Sequence, residues 1–311
     1  MITASLRKSY GEALVQIGRE NKDIVVLEAD LGKSTMSCFF EDQFPDRYFQ
    51  MGIAEQNMAS TSAGLALAGK IPFYSTFAVF ATGRAYDQIR SSIAIPDLNV
   101  NICGSSAGLS DFGDGKTHQS IDDIALMRVL PNMTVLSPVD AEETKKMVKA
   151  MAESEGPAYI RINRSDLPVL TADDDKPYQI GQMTSVKKGD DITVFASGIM
   201  VHQSLKAAEM LEKEGISVEV VNVSCIKPLD KDAVKQFSAG RKGIVTAEEH
   251  SIIGGMGSAI TEAMSENPLP LVQIGVQDKY GTSASCYEDL LKAYGLTEDD
   301  IVTAVKRLIK K

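Results

Sequence analysis

The chain has 311 residues, 44% of them hydrophobic and 24% charged, and its 32 basic against 42 acidic side chains leave a net charge of −10. This balance excludes a disordered, collagen-like or disulfide-framework chain, and at about 150 residues per domain it predicts two domains with real cores. An acidic surface repels phosphate backbones, so nucleic acid is not expected as a general partner, although a local basic pocket for a small phosphate stays open.

Residues 3–20 carry apolar positions at helical spacing. Short apolar runs at 24–28, 71–75, 99–103, 133–136 and 158–162 read as strands. Between the first two, the segment NMASTSAGLALAG after Glu55 is almost all small residues. It predicts either a plain core helix or one buried against a tight subunit interface. Ser120 with Asp123, and Asp140 with Glu143, are capping signals for helices over 120–129 and 140–152. This alternation predicts an α/β fold with a mostly parallel sheet flanked by helices. The pattern breaks over 165–190, where two prolines and the acidic triplet Asp173–Asp175 read as an interdomain linker with room for a short strand and a solvated charge run. Strands at 192–196, 217–223, 243–247 and 271–274 then alternate with helices at 201–214, 230–238, 255–265 and 298–310, which predicts a second, smaller α/β domain. The expected division is 1–170, a linker over 171–190, and 191–311. No run approaches the ~18 apolar residues of a membrane span, and no signal-peptide pattern opens the chain. The cysteines at 38, 103, 225 and 286 match no metal or redox spacing and read as free thiols, which points to a cytoplasmic protein.

There is no P-loop, no strand-linked dinucleotide fingerprint, no zinc-protease motif and no nucleophile elbow. Three segments instead set polar residues beside apolar or small ones. In MGIAEQNM, Glu55 is a lone carboxylate at a helix start, where burial would favour a protonation state useful for proton exchange. In FYSTFAVF, Phe77 and Phe80 could wall a flat ring. The glycine-rich stretch over 104–119 follows a strand and carries Asp114 and His118, in a place where α/β proteins hold ligands. Residues 254–258, GGMGS, open a helix and could hold an anion.

In order, GIAEQNM, STFAVF, GDGKTHQSIDD, RVLPNMTVLSPVDAEE and YIRINRSDLP resemble the pyrimidine-binding domain of thiamine-diphosphate enzymes of the transketolase group. EEHSIIGGMGSAITE resembles the C-terminal domain of the same group. No diphosphate-binding motif with a downstream asparagine pair accompanies them, so the chain resembles the C-terminal subunit of a split transketolase. The resemblance implies an α2β2 heterotetramer in which an N-terminal partner subunit supplies the diphosphate half and most of the Mg2+ coordination. It implies transfer of a two-carbon ketol unit between sugar phosphates. Glu55 matches the glutamate that hydrogen-bonds the aminopyrimidine. Phe77 and Phe80 match its aromatic wall, with Gly83 where a third aromatic is usual, and Asp30 and Leu31 match a loop close to the cofactor. Arg7, Ser34 and Arg164 match residues that grip the sugar phosphate, Asp114 one that reads a substrate hydroxyl, and His118 one that contacts the substrate. Two alternatives are the beta subunit of a 2-oxo acid dehydrogenase decarboxylating component and a non-catalytic binding or regulatory module of the same fold.

Overall fold

A computed structural model describes residues 2–172 and 176–310. The triplet Asp173–Asp175, read above as a solvated charge run, lies outside the described residues. The strands in chain order are β1 (Thr3–Ser5), β2 (Ile24–Glu28), β3 (Tyr48–Gln50), β4 (Ile71–Phe77), β5 (Asn101–Ser105), β6 (Thr134–Leu136), β7 (Ala158–Arg161), β8 (Asp166–Pro168), β9 (Thr184–Lys187), β10 (Ile192–Ala196), β11 (Val218–Asn222), β12 (Cys225–Lys227), β13 (Gly243–Ser251) and β14 (Leu271–Val276).

Seven strands form the first sheet in the order β12-β6-β7-β5-β4-β2-β3. All its pairings are parallel except β12 with β6. Every residue of β2, β5 and β7 is buried. Runs such as IVVLE, apolar on both faces, are what a parallel sheet covered by helices on each side requires. Helices Leu6–Glu20 and Ala141–Glu153 pack together on one face, and helix Glu55–Leu67 covers β4 on the other. The second sheet runs β14-β13-β10-β11-β9, parallel except at its β9 edge. The α/β class expected from the alternation is the fold observed.

Two details bring the halves together. Strand β12 leaves the second half and pairs with β6, Cys225 opposite Leu136. Strands β1 and β8 form an antiparallel clip with Ser5 opposite Asp166. That register sets the start of helix Leu6–Glu20, where Arg7 sits, beside the segment just before β8, where Arg164 sits. One apolar cluster is continuous through both halves, from Leu14 and Met147 to Met200, Val220 and Val305.

Several local expectations need correction. The stretch 165–190 is not only a connection, since it contains both β8 and β9. The helix expected from Ser120 starts at Asp123, because the Asp123 carboxylate is drawn into the core by Arg161 and Tyr159 and caps nothing. Asp140 does cap its helix, accepting from the Glu143 amide at 2.8 Å. The small-residue helix buries one face and leaves the other open, a setting that suits a core helix or a subunit interface alike. Glu55, Met58, Ala59, Ser62 and Ala63 face the core, while Gln56, Ser60, Gly64 and Leu67 face outward. All four cysteines are free thiols, with Cys103 and Cys225 buried. No helix among the described residues is long and apolar enough to cross a membrane.

Candidate active site

The carboxyl ends of the neighbouring strands β2, β4 and β5 open on one edge of the first sheet, the position at which α/β sheets place ligands. The turn after β2 brings Asp30 and Leu31 to this edge, the end of β4 brings Phe77, and the loop after β5 brings His118. The first turn of helix Glu55–Leu67 adds Glu55. Together with Phe80 and Arg84 these residues line a cavity of about 470 Å³.

Phe77 and Phe80 form one wall, their rings 6.3 Å apart and 18° from parallel. His118 stands edge-on to them, its centroid 5.4 Å from that of Phe80. Its Nδ1 lies 2.9 Å from the Thr117 hydroxyl. The Glu55 side chain is only 3% exposed, and both carboxylate oxygens accept from Arg84 Nη1, at 2.9 and 3.0 Å. The Arg84 guanidinium lies 4.4 Å from the centre of the Phe80 ring, within cation–π range. Arg84 ends a single wide turn, Phe80–Arg84, of the π-helical type that recurs at functional sites. At Gly83, where a third aromatic is usual in the family, a side chain would meet nothing within 4 Å; the next residue, Arg84, covers Phe80 instead.

The turn after β2 is held from beneath. Buried Glu28 accepts from the Leu31 amide at 2.5 Å and from Gln50 Nε2 at 2.9 Å. Burial pushes the Glu28 carboxyl up, and these hydrogen bonds oppose the shift. Asp30 adopts φ +63°, a left-handed conformation uncommon outside glycine, with its amide on Gln50 Oε1.

A second group lies where the β1–β8 clip joins the two loops. Arg7 donates to the carbonyl of Ser34 at 2.9 Å, which brings Ser34 into this group. Arg164 donates to buried Asp111 at 2.5 Å and lies 3.9 Å from Asp114. Burial, then the neighbouring Arg164 charge, lowers Arg7 below the ordinary arginine value. Arg7 Nε and Asp111 Oδ2 are buried without a hydrogen-bond partner. Two guanidiniums brought together with an unmet donor are suited to an anion with several oxygens.

Every candidate implied by the resemblance thus falls into one of these two groups. Arg84, Glu28 and Asp111 were not picked out from it. A weak signal existed for Asp111, an aspartate three residues before Asp114 in the same loop. None existed for the other two, whose roles depend on contacts across the fold. The GGMGS segment is no open anion site. The buried carboxylate of Glu248 takes the amides of Met256 and Gly257, both at 2.7 Å, and supplies the charge that the helix N-terminus favours.

The cavity fits an aminopyrimidine. It has an aromatic wall, a buried carboxylate and an imidazole edge, a set of groups chemically suited to a flat nitrogen heterocycle. Among the described residues no group of three or more His, Cys, Asp or Glu side chains is arranged to hold a metal ion.

Residues 3–169 match the transketolase pyrimidine-binding domain and residues 181–301 the transketolase C-terminal domain, so the chain belongs to the transketolase family. Relatives that it matches over nearly their whole length include proteins named as sections or subunits of transketolases. The chain is 48% identical, with a TM-score of 0.88, to the solved structure of a split-gene transketolase in an inactive β4 tetramer, over 98% of each chain. It is 41% identical to a Methanocaldococcus jannaschii protein named as a transketolase C-terminal section, over 98% of this chain and 96% of that one. It is 38% identical to a 6-deoxy-6-sulfo-D-fructose transketolase subunit of a Clostridium species, over 98% of this chain and 95% of that protein.

Proposed function

We propose that this chain is the C-terminal subunit of a two-chain transketolase and transfers two-carbon ketol units between sugar phosphates with thiamine diphosphate. The observation that carries the reading is the single cavity into which Asp30, Leu31, Glu55, Phe77, Phe80 and His118 converge from separate stretches of chain. When bound, the cofactor supplies the carbon nucleophile and the electron sink that let a carbon–carbon bond break and re-form.

The residues of this chain hold and orient. Phe77 and Phe80 take the pyrimidine face, and Asp30 and Leu31 close its edge. Glu55 meets the ring nitrogen and controls the proton there, with Arg84 as its charge partner. His118 reaches over the same wall toward the reacting end. Arg7 and Arg164, with the Ser34 turn, grip the phosphate of the sugar, and Asp114 reads a hydroxyl. Division of the chain at 1–170, 171–190 and 191–311 assigns all these residues to the first domain.

A partner chain carrying the diphosphate-binding half supplies the magnesium contacts in an α2β2 assembly. Two features support this. Ile53 lines the cavity mouth yet is 75% exposed, and Leu67 on the outward face of the adjoining helix is 74% exposed. Apolar side chains this open beside a site suit a covering subunit. The inactivity of a relative's β4 tetramer supports the need for that second half. Free cysteines fit a reducing cytoplasm.

The test is Glu55→Gln in the enzyme reconstituted with its partner. Turnover should fall by about 10² or more while assembly, followed by analytical ultracentrifugation, is unchanged. Full turnover in the assembled variant would remove Glu55 from the mechanism.

A further inference from the structure

The structure assigns Glu249, in the second half of the chain, as a positioning residue for the phosphate-gripping side of the site. This deepens the reading of Arg164 given above and rests on it. Glu249 lies on β13 and is 3% exposed. Its Oε1 accepts from the Leu109 amide at 2.7 Å, and its Oε2 from Asn163 Nδ2 at 3.1 Å. Asn163 Nδ2 also donates to the Tyr287 hydroxyl at 2.9 Å. Arg161 reaches the backbone carbonyl of Glu249 at 3.2 Å.

Both primary contacts lead to Arg164. Leu109 begins the run Leu109-Ser110-Asp111. The Ser110 hydroxyl accepts from the Arg164 amide at 3.1 Å, and Asp111 takes its guanidinium at 2.5 Å. Asn163 is joined to Arg164 directly by the peptide bond. One carboxylate therefore sets the loop that holds the Arg164 head and the residue that holds its backbone. The loop is packed hard onto it: at Gly108, with φ +68°, a Cβ would lie 2.4 Å from the Glu249 carboxyl carbon. Further along, the loop is tied to the same half of the molecule by Gln119 to the Thr282 carbonyl and by the Ala284 amide to the Phe112 carbonyl. A carboxylate this deeply buried costs free energy that apolar packing would avoid, and its geometry puts that cost into fixing two segments of the site.

Glu248 is the internal control. Strand alternation turns it to the opposite face, where its carboxylate caps helix Met256–Ala263 by accepting from the Met256 and Gly257 amides. The experiment compares Glu249→Gln, Asn163→Ala, Glu248→Gln and Arg164→Ala in the enzyme reconstituted with its partner. It measures kcat and KM for a phosphorylated ketose donor, thiamine diphosphate affinity by calorimetric titration, and Tm. Glutamine keeps the shape of Glu249 but turns an amide NH2 toward groups that are already donors. Glu249→Gln and Asn163→Ala should raise the donor KM about tenfold, with kcat within about threefold and cofactor affinity unchanged. Glu248→Gln should lower Tm and leave KM alone. If Arg164→Ala raises KM while neither Glu249→Gln nor Asn163→Ala does, the positioning role is overturned. If Arg164→Ala leaves KM unchanged, the phosphate reading itself fails and the inference falls with it. Should Glu249→Gln not fold, Asn163→Ala decides the matter alone.

Discussion

Glu143 and Glu249 are buried carboxyls at the contact between the halves, and burial pushes each up to about 7. Hydrogen bonds oppose that shift at both sites, from the Val139 amide, Ser224 and Asn222 to Glu143, and from Tyr287 and Leu109 to Glu249, where Arg161 also acts. In the unfolded chain both release their protons near the ordinary value of 4.5. Between about 4.5 and 7 the folded state therefore binds more protons than the unfolded state, and the contribution of these two groups to stability falls as pH rises through that window. Denaturant midpoints of the wild type and of the Glu143→Gln/Glu249→Gln double variant, taken from pH 4.5 to 8, check this. The double variant should lose a downward component of the slope below pH 7; parallel profiles would show that neither carboxyl titrates there. Asp123 has the opposite setting. It is equally buried, but Arg161 and the hydroxyl of Tyr159 hold its carboxyl below the usual aspartate value despite the desolvation that would raise it.

At the scale of the element, helix Ala141–Glu153 depends on one residue more than its sequence suggests. Asp140 accepts from the Glu143 amide as a helix cap. It also accepts from the Leu170 amide, the Thr171 amide and the Thr171 hydroxyl at 2.6 to 2.8 Å. A cap alone is worth about 1 kcal/mol, and two part-buried amides left without acceptors add to it. Asp140→Ala should therefore cost about 2 kcal/mol or more by urea denaturation, while Asp140→Asn retains part of this. Strand β5 shows a second element-scale constraint. A Cβ at Gly104 would lie 2.4 Å from the Tyr159 hydroxyl, which is itself fixed by Asp123. The strand can thus pass under Tyr159, and begin the glycine-rich loop there, only with glycine at that position.

For the whole molecule, the two sheets behave as one structure by construction. Strand β12 closes the first sheet, the apolar cluster runs through both halves, and the Glu249, Arg161 and Gln119 contacts cross between them. Separation of the halves would expose buried apolar surface and leave buried charges unpaired, both costly. The chain should unfold in a single transition. Tyrosine fluorescence and far-ultraviolet circular dichroism should report coincident midpoints, and the calorimetric and van't Hoff enthalpies should agree. Two resolved transitions would show instead that the halves are stable apart.

The sequence by itself determined the α/β class, the alternation of the main strands and helices, and the ordered motifs that name the family. These are local signals. A strand buried on both faces must be apolar throughout, a helix must start on a cap, and Glu55, Phe77 and Phe80 sit in short motifs whose residues stay close in the fold. Tertiary structure alone decided the rest. Arg84 meets Glu55 across 29 positions and Glu249 meets Leu109 across 140, and neither pairing leaves a mark within a short window of sequence. Likewise the three-residue strand β12 is too short to show a period, and its place beside β6 follows from how the two halves pack. The free energy of a buried charge depends on which groups surround it in space, and chain order does not specify those groups until the sheets are assembled.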